Sequence, residues 1–348
     1  MEQIERFHGC MLGGAVGDAL GAPVEFDSLE VIRQRFGADG IRDYVPAYGR
    51  RGAITDDTQM AMFTAEGLIR AAVRQDDKGI CHPPSVVHHA YLRWLATQDG
   101  RPAAGEVAMD GWLVEERALW SCRAPGVTCL AAFRSSSIGE PRADNDSKGC
   151  GGVMRVAPVG LVGRGDPFAL GCEIAALTHG HPTGQLAAGF LAVVIHELVA
   201  DKALDAALDA ATARLKEADD HEETLAAVEA ARAAAAKGAP DAERVEALGE
   251  GWVAEEALAI ALYCALVAES FEDGVVLAVN HGGDSDSTGA IAGNILGALL
   301  GAGAIPERWL ADLELKDAIT RLADDLYTVA TDRLDCDSEE VWTRYPGW

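Results

Sequence analysis

The sequence is poor in positive charge. Its 348 residues include 29 Lys and Arg against 55 Asp and Glu, which gives a formal net charge of −26. The isoelectric point is near 4.6. Nucleic acids and anionic membrane surfaces attract proteins through clustered cations. The shortage of cations therefore argues against nucleic acid or a membrane surface as a general partner.

Cysteines at Cys-x-x-Cys spacing and the residue pattern of an export signal are also not found in the sequence. The eight cysteines are scattered without Cys-x-x-Cys spacing, so we expect reduced thiols, mostly in the core. The first six residues lack the basic start and apolar stretch of an export signal. The apolar run 288–305 contains Asn294 and several glycines, and it predicts a packed core helix rather than a membrane span. These features together predict a cytoplasmic protein.

No segment shows the alternation of a β-strand or the composition shift of a linker. Apolar residues make up 49% of the chain, enough for a sizeable core. We therefore expect an all-α fold forming one domain over residues 1–348, and a monomer. Helical patterns are predicted at 9–20, 28–36, 58–74, 84–97, 184–198, 258–271 and 315–334, with solvated amphipathic helices over 201–249 and turns near Asp219 and Gly238.

The most informative stretch is HGGDSDSTG at residues 281–289. Asp284 and Asp286 stand directly before a small-residue apolar run, 290–304, that predicts a buried helix. A second acidic start, TDDT at 55–58, opens another helical pattern. Such oxygen ligands suit Mg²⁺, Mn²⁺ or Ca²⁺ rather than Zn²⁺, and clustered carboxylates take up protons unless a cation compensates them. Ordinary N-capping is the alternative explanation for acids at helix starts.

Five motifs extend the pattern over most of the chain. They are GAVGDALG at 14–21 with Glu25 after it, TDDT at 55–58, KGCGGVMR at 148–155, THGHP at 178–182 and GGDSDSTG at 282–289. In these motifs and their order the chain resembles the ADP-ribosylglycohydrolase family, which includes ADP-ribosylarginine hydrolases. The resemblance implies an all-helical fold with a binuclear Mg²⁺ or Mn²⁺ centre. It also implies cleavage of the bond between ADP-ribose and a modified side chain.

Carried onto this sequence, the resemblance implies a set of metal ligands and catalytic groups. Asp56 or Asp57 is the candidate to accept a proton from water, and Glu25 takes the position of a glutamate that gates the site or binds one ion. From the sequence alone, Glu25 is merely a loop acid. The expected ligands of the two ions are Thr55, Asp56, Asp57, Asp284, Asp286 and Ser287.

The glycine-rich segment 147–152 is a candidate phosphate cradle, because its glycines let backbone N–H groups approach a ligand before a helix that we expect to start near Val153. A surface turn is the alternative. The family often has Asn at the position of Cys150. The resemblance also places Gly126 in a substrate-contacting loop and His179 beside the substrate, while Trp252 either stacks on adenine or belongs to the core. The expected substrate-binding residues are Gly126, Ser147, Lys148, Gly149, Gly151, Gly152, His179 and Trp252.

These residues lead to one functional hypothesis and two alternatives. The leading hypothesis is a metal-dependent hydrolase that releases ADP-ribose from ADP-ribosylated protein at arginine, because the Asp-Ser-Asp-Ser form resembles the arginine-specific members. The first alternative is an enzyme acting on ADP-ribosylserine or another O-linked or small-molecule conjugate. The second is an inactive ADP-ribose-binding or structural protein.

Overall fold

The computed structural model describes residues 1–99, 107–136, 142–332, 334–335 and 338–347. Helices and short 3-10 turns form this part of the chain, and its only β-type pairings are two isolated bridges, Ala47 with Arg50 and Gly149 with Val253. The all-α prediction is confirmed for these residues. Cys336, which we expect to be reduced, lies outside them. The helices are α1 Gln3–Gly21, α2 Leu29–Phe36, α3 Asp56–Lys78, α4 Pro83–Asp99, α5 Val127–Ser135, α6 Ala157–Val162, α7 Pro167–Ala175, α8 Pro182–Val199, α9 Leu204–Leu215, α10 Glu222–Ala235, α11 Ala242–Glu246, α12 Ala254–Val267, α13 Phe271–Val279, α14 Ser285–Leu300, α15 Glu307–Asp312, α16 Lys316–Ala330 and α17 Glu339–Arg344.

Helices α1 and α14 pack against each other along glycine faces. A Cβ atom on Gly13 would overlap the carbonyl oxygen of Gly293, and one on Gly17 would overlap that of Gly289. Glycine lowers helix propensity but permits backbones to approach this closely. The antiparallel pairing brings Gly21, at the end of α1, against the backbone of Ser285, at the start of α14. The contacting glycines are Gly9, Gly13, Gly17, Gly21, Gly289, Gly293 and Gly297.

The apolar core surrounds this pair of helices. Nearly every residue of α14 is buried, so the run 288–305 is a core helix where it is helical, as predicted. Of the described helices, α8 is long and apolar enough to span a membrane, and 83% of that segment is buried inside the protein. A buried core helix of this kind meets the same length and composition criteria.

Most predicted helices are present, but some of the predicted bounds differ from the structure and helix α7 was missed. The helix expected near Val153 begins at Ala157, because a 3-10 turn at Cys150–Gly152 comes first and Pro158 fixes the helix start. The single pattern over 258–271 is two helices, since Ser270 caps a new one by accepting the N–H of Asp273 at 3.1 Å. Helix α7 was not predicted, although Asp166 followed by proline is a start signal.

Candidate metal centre

The start of α3 is organised by Asp18 from α1. The Asp18 carboxylate is fully buried and accepts the backbone N–H groups of Thr55 at 3.0 Å and Thr58 at 3.1 Å. Thr55 is the N-cap residue, and its hydroxyl accepts the N–H of Asp57 at 3.3 Å. Because Thr55 and Asp18 satisfy the helix end, the side chains of Asp56 and Asp57 are not needed as caps.

The start of α14 has a similar arrangement. Asp284 is the N-cap residue and accepts the N–H of Ser287 at 3.3 Å, while Asp286 accepts the same N–H at 3.0 Å. Gly283 has φ of 152°, and a Cβ atom there would overlap the carbonyl oxygen of Glu250. Capping therefore accounts for Asp284 and Thr55, but it leaves most of the carboxylate oxygens at the two helix starts unexplained.

Besides Asp18, five buried carboxyl groups share this region. They belong to five residues, each at most 6% exposed: Glu25, Asp56, Asp57, Asp284 and Asp286. Burial raises the pKa of each, and neighbouring negative charges of the cluster raise the pKa values of all but Asp284 further. The pKa of Glu25 rises to about 8. Among the described residues no Lys, Arg or His forms an ion pair with any of the five, so no cation of the protein contacts them.

The donor chemistry fits a hard divalent cation. Asp57 Oδ2 and Glu25 Oε2 are buried without a hydrogen-bond partner, which is costly unless something else satisfies them. Carboxylate and hydroxyl oxygens are the ligands that Mg²⁺ and Mn²⁺ prefer. Among the described residues, however, no three His, Cys, Asp or Glu side chains converge as a ready-made metal cage. The structure thus shows an uncompensated acidic centre whose oxygens suit a cation.

A sulfur atom also reaches this centre. The Cys150 thiol donates to Asp284 Oδ2 at 2.8 Å and lies 3.6 Å from the hydroxyl of Ser287. No periodicity or spacing in the sequence places this side chain beside Asp284. The one available signal was the departure from the asparagine that the family often has there.

The glycine segment is anchored beside the acidic centre. The Cys150 N–H donates to the carbonyl of Trp252 at 3.1 Å, and Gly149 forms its bridge with Val253. A Cβ atom on Gly151 would lie 2.8 Å from Cys129 Sγ, and one on Gly152 would lie 3.0 Å from Ala175 Cβ. The segment is therefore not a free surface turn.

His179 and Gly126 lie next to this segment and to the carboxylates. A Cβ atom on Gly149 would be 3.3 Å from His179 Nε2. Burial, reinforced by the charge of Arg155, lowers the pKa of His179 to about 3, so the imidazole is neutral. The Gly126 N–H, before α5, donates to Asp56 Oδ2 at 3.4 Å. Both residues therefore adjoin the predicted centre.

Ser147 and Lys148 complete the segment but differ in their freedom to bind a ligand. The Ser147 hydroxyl accepts the N–H of Gly149 at 3.4 Å. The Lys148 ammonium is paired with Glu223 at 2.6 Å and also with Glu255. That Lys148 binds phosphate stays a prediction, and its amine is already engaged by two carboxylates.

Two exposed aromatic rings stack at the edge of the centre. Trp252 is 38% exposed, so it is not a core tryptophan, and its ring stacks on Phe26 with centroids 5.7 Å apart and planes at 18°. Phe26 follows Glu25 directly and is 74% exposed. Sequence reasoning missed Phe26, because the partner ring lies more than 220 residues away.

The fold and the site together define a class of protein. It is all-helical and has a buried acidic centre beside a glycine segment. The ADP-ribosylglycohydrolase family model matches residues 1–335, and the chain belongs to this family. Its members are glycohydrolases, which are hydrolases.

Named relatives and a solved structure agree with this assignment. The chain is 29% identical to the ADP-ribosyl-[dinitrogen reductase] glycohydrolase of Rhodospirillum rubrum, covering 90% of this chain and 91% of that protein. It is 25% identical to the ADP-ribosylarginine hydrolase Tri1 of Serratia proteamaculans, covering 94% and 81%. A solved ADP-ribosylglycohydrolase-related protein complex contains a chain that superposes with a TM-score of 0.71 at 30% identity, covering 94% of this chain and 99% of that one.

Proposed function

We propose that this protein is a metal-dependent hydrolase that removes ADP-ribose from ADP-ribosylated protein, with arginine as the modified residue. The observation that carries the proposal is the set of five buried carboxyl groups without a cation of the protein's own. The names of the Rhodospirillum and Serratia relatives support ADP-ribose as the group removed, and the Serratia name supports arginine. The products would be free ADP-ribose and the unmodified protein.

Two Mg²⁺ or Mn²⁺ ions are the proposed cofactors. When bound, they would supply positive charge that orients the ribose hydroxyls and lowers the pKa of a water molecule. The residues proposed to hold them are Thr55, Asp56, Asp57, Asp284, Asp286 and Ser287.

The protein's own groups would move the protons. Asp57 Oδ2 has no hydrogen-bond partner, and Asp56 Oδ2 accepts the long contact from Gly126. Once a bound cation keeps these carboxyl groups ionised, either oxygen could accept a proton from water. Glu25 has a pKa raised to about 8, so without a nearby cation it holds a proton at neutral pH. Its unpartnered Oε2 can therefore serve as a proton donor or swing to a cation.

The substrate would lie across the glycine segment and the aromatic pair. The N–H groups of Gly149 and Cys150 are engaged within the protein, so the segment would offer its other backbone N–H groups to the pyrophosphate. These groups would offset the repulsion expected from a protein of net charge −26. The neutral His179 can donate one hydrogen bond without adding charge. Trp252, with Phe26 beside it, offers a ring face for adenine.

The test is release of free ADP-ribose from matched arginine- and serine-ADP-ribosylated peptides, with Mg²⁺, with Mn²⁺ and with chelator. We expect metal-dependent release from the arginine peptide, and a loss of at least about 100-fold in Asp284→Asn, the scale of losing a key electrostatic group. Asparagine is as good an N-cap as aspartate, so helix α14 is retained.

A matched control is Asp166→Asn. Asp166 caps α7 by accepting the N–H of Phe168 at 2.9 Å, so the change is the same at another helix start. Activity should persist in this variant. Release from the serine peptide alone would establish the O-linked alternative, and binding of ADP-ribose without turnover of either peptide would establish a binding protein.

A further inference from the structure

Cys150 brings a soft sulfur donor into a centre otherwise made of hard oxygens. Its Sγ lies 2.8 Å from Asp284 Oδ2 and 3.6 Å from Ser287 Oγ. Both partners belong to the proposed ligand set. Thiols are poor ligands for Mg²⁺ but strong ones for thiophilic divalent ions such as Zn²⁺ and Cd²⁺.

The acidic centre also holds a buried carboxylate oxygen without a hydrogen-bond partner. Asp57 is 3% exposed, and its Oδ2 has no hydrogen-bond partner. The negative charges of Asp284 and Asp57 both act on the Cys150 thiol and, after burial, are the main reasons that its pKa is raised. The thiol therefore contacts one carboxylate of the acidic centre and lies within the electrostatic reach of a second.

The backbone holds Cys150 in this position. The residue opens the 3-10 turn Cys150–Gly152, its N–H donates to the carbonyl of Trp252, and Gly149 before it is bridged to Val253. These backbone contacts hold the turn in place, and they therefore keep the thiol at the acidic centre.

We propose that this centre is also a binding site for thiophilic divalent cations, with Cys150 as a ligand beside Asp284, and that such an ion competes with Mg²⁺ or Mn²⁺. On binding, the S–H bond breaks, a sulfur–metal bond forms and the proton leaves to solvent, without any change of oxidation state. The inference rests on the proposed function only through the shared ligands. In an enzyme of this kind, Zn²⁺ or Cd²⁺ would act as an inhibitor.

The experiment is a Cd²⁺ titration of the full-length protein after chelation, followed by the ultraviolet sulfur-to-cadmium charge-transfer band. We expect the wild type to show this band. Both Cys150→Asn and Cys150→Ser should lose the intensity of one thiolate and bind Cd²⁺ at least about tenfold more weakly, as expected for a lost ligand contact. Using two replacements guards against one that fails to fold, which circular dichroism monitors.

Two controls locate the site. Cys129→Ser changes a buried neighbouring thiol, whose Sγ lies 3.4 Å from an Arg155 nitrogen, and should leave the band intact. Excess Mn²⁺ should displace the band in the wild type. Undiminished intensity in both Cys150 variants would assign the thiolate to another cysteine and overturn the proposal, as would a band that Mn²⁺ cannot displace.

The band and the turnover of peptides are separate measurements. A Cys150-dependent band without release of ADP-ribose from either peptide would support the soft-ion site and contradict the proposed hydrolase. Release of ADP-ribose without such a band would overturn the soft-ion site alone.

Discussion

Helix α3 carries two kinds of buried carboxyl group. Glu66, in its middle, is fully buried and accepts from Arg70 at 2.8 Å and from Arg93 at 2.9 Å. Asp56 and Asp57, at its start, are almost as buried and have no such partner. The three acids lie on one helix, so local sequence type and burial do not distinguish them.

These carboxyl groups differ in where their compensating positive charge comes from. A buried carboxylate is stable only when its charge is compensated or its proton retained. For Glu66 the fold provides two arginines from within the chain. For the acids at the helix starts it provides none, which leaves room for a cation from solution. The functional signal is therefore the missing arginine rather than the aspartate.

Removing the paired acid should have the largest effect. Glu66→Gln leaves the buried Arg93 without its carboxylate and Arg70 with Asp110 alone, so it should lower the free energy of unfolding by about 3–5 kcal/mol. Urea denaturation measures this, with Glu229→Gln on the exposed face of α10 as the control. A loss below about 1 kcal/mol would show that the arginines do not depend on Glu66.

Supplying the missing charge should have the next largest effect. Mn²⁺ or Mg²⁺ at 100 times its Kd should raise the free energy of unfolding by about 2.7 kcal/mol. The stabilisation should disappear in Asp57→Asn and persist in the control Asp166→Asn. If the metal stabilised Asp57→Asn as much as the wild type, the cation would bind elsewhere. Asp57 would then not differ from Glu66 in needing a cation from solution.

The third effect is a pH dependence of stability that a bound cation suppresses. The pKa of Glu25 is raised from 4.5 to about 8 and that of Asp18 from 3.8 to about 6, so the folded protein binds more protons than the unfolded chain in between. Their stabilising contribution is present below about pH 4 and is lost as the pH rises through about 6 and then 8.

Urea denaturation in chelator should therefore show stability falling with rising pH over this window. A bound cation should reduce the slope, because it favours the ionised form. Glu25→Gln should remove the part nearest pH 8, whereas Glu229→Gln should not. If stability in chelator instead rose with pH over this window, the raised pKa values of Glu25 and Asp18 would be contradicted.

The local signals in the sequence were sufficient for the helices that carry the centre. Periodicity and capping residues predicted α1, α3 and α14, and the acidic starts at residues 55–58 and 284–287 adjoin each other as expected. The prediction began α3 at Thr58, two residues late, because Asp18 on another helix accepts the N–H groups of its first turn.

Contacts between distant segments could not be predicted in this way. Cys150 and Asp284 are 134 residues apart, and no periodic pattern reports their meeting. Lys148 pairs with Glu223 and Glu255 on separate helices. The sequence around Lys148 does not indicate that these two carboxylates engage its amine. Such pairings depend on tertiary packing, which a single sequence encodes only indirectly.

The glycine faces of α1 and α14 bear on any attempt to transplant this centre into another protein. Because backbone meets backbone along the contact, no side chain there can rotate to absorb a change of spacing. Asp18 and Asp286 are thus kept at a separation that repacking elsewhere in the core hardly alters. The smallest unit that could be grafted is the helix pair, since α14 alone would carry its carboxylates without the spacing that aligns them.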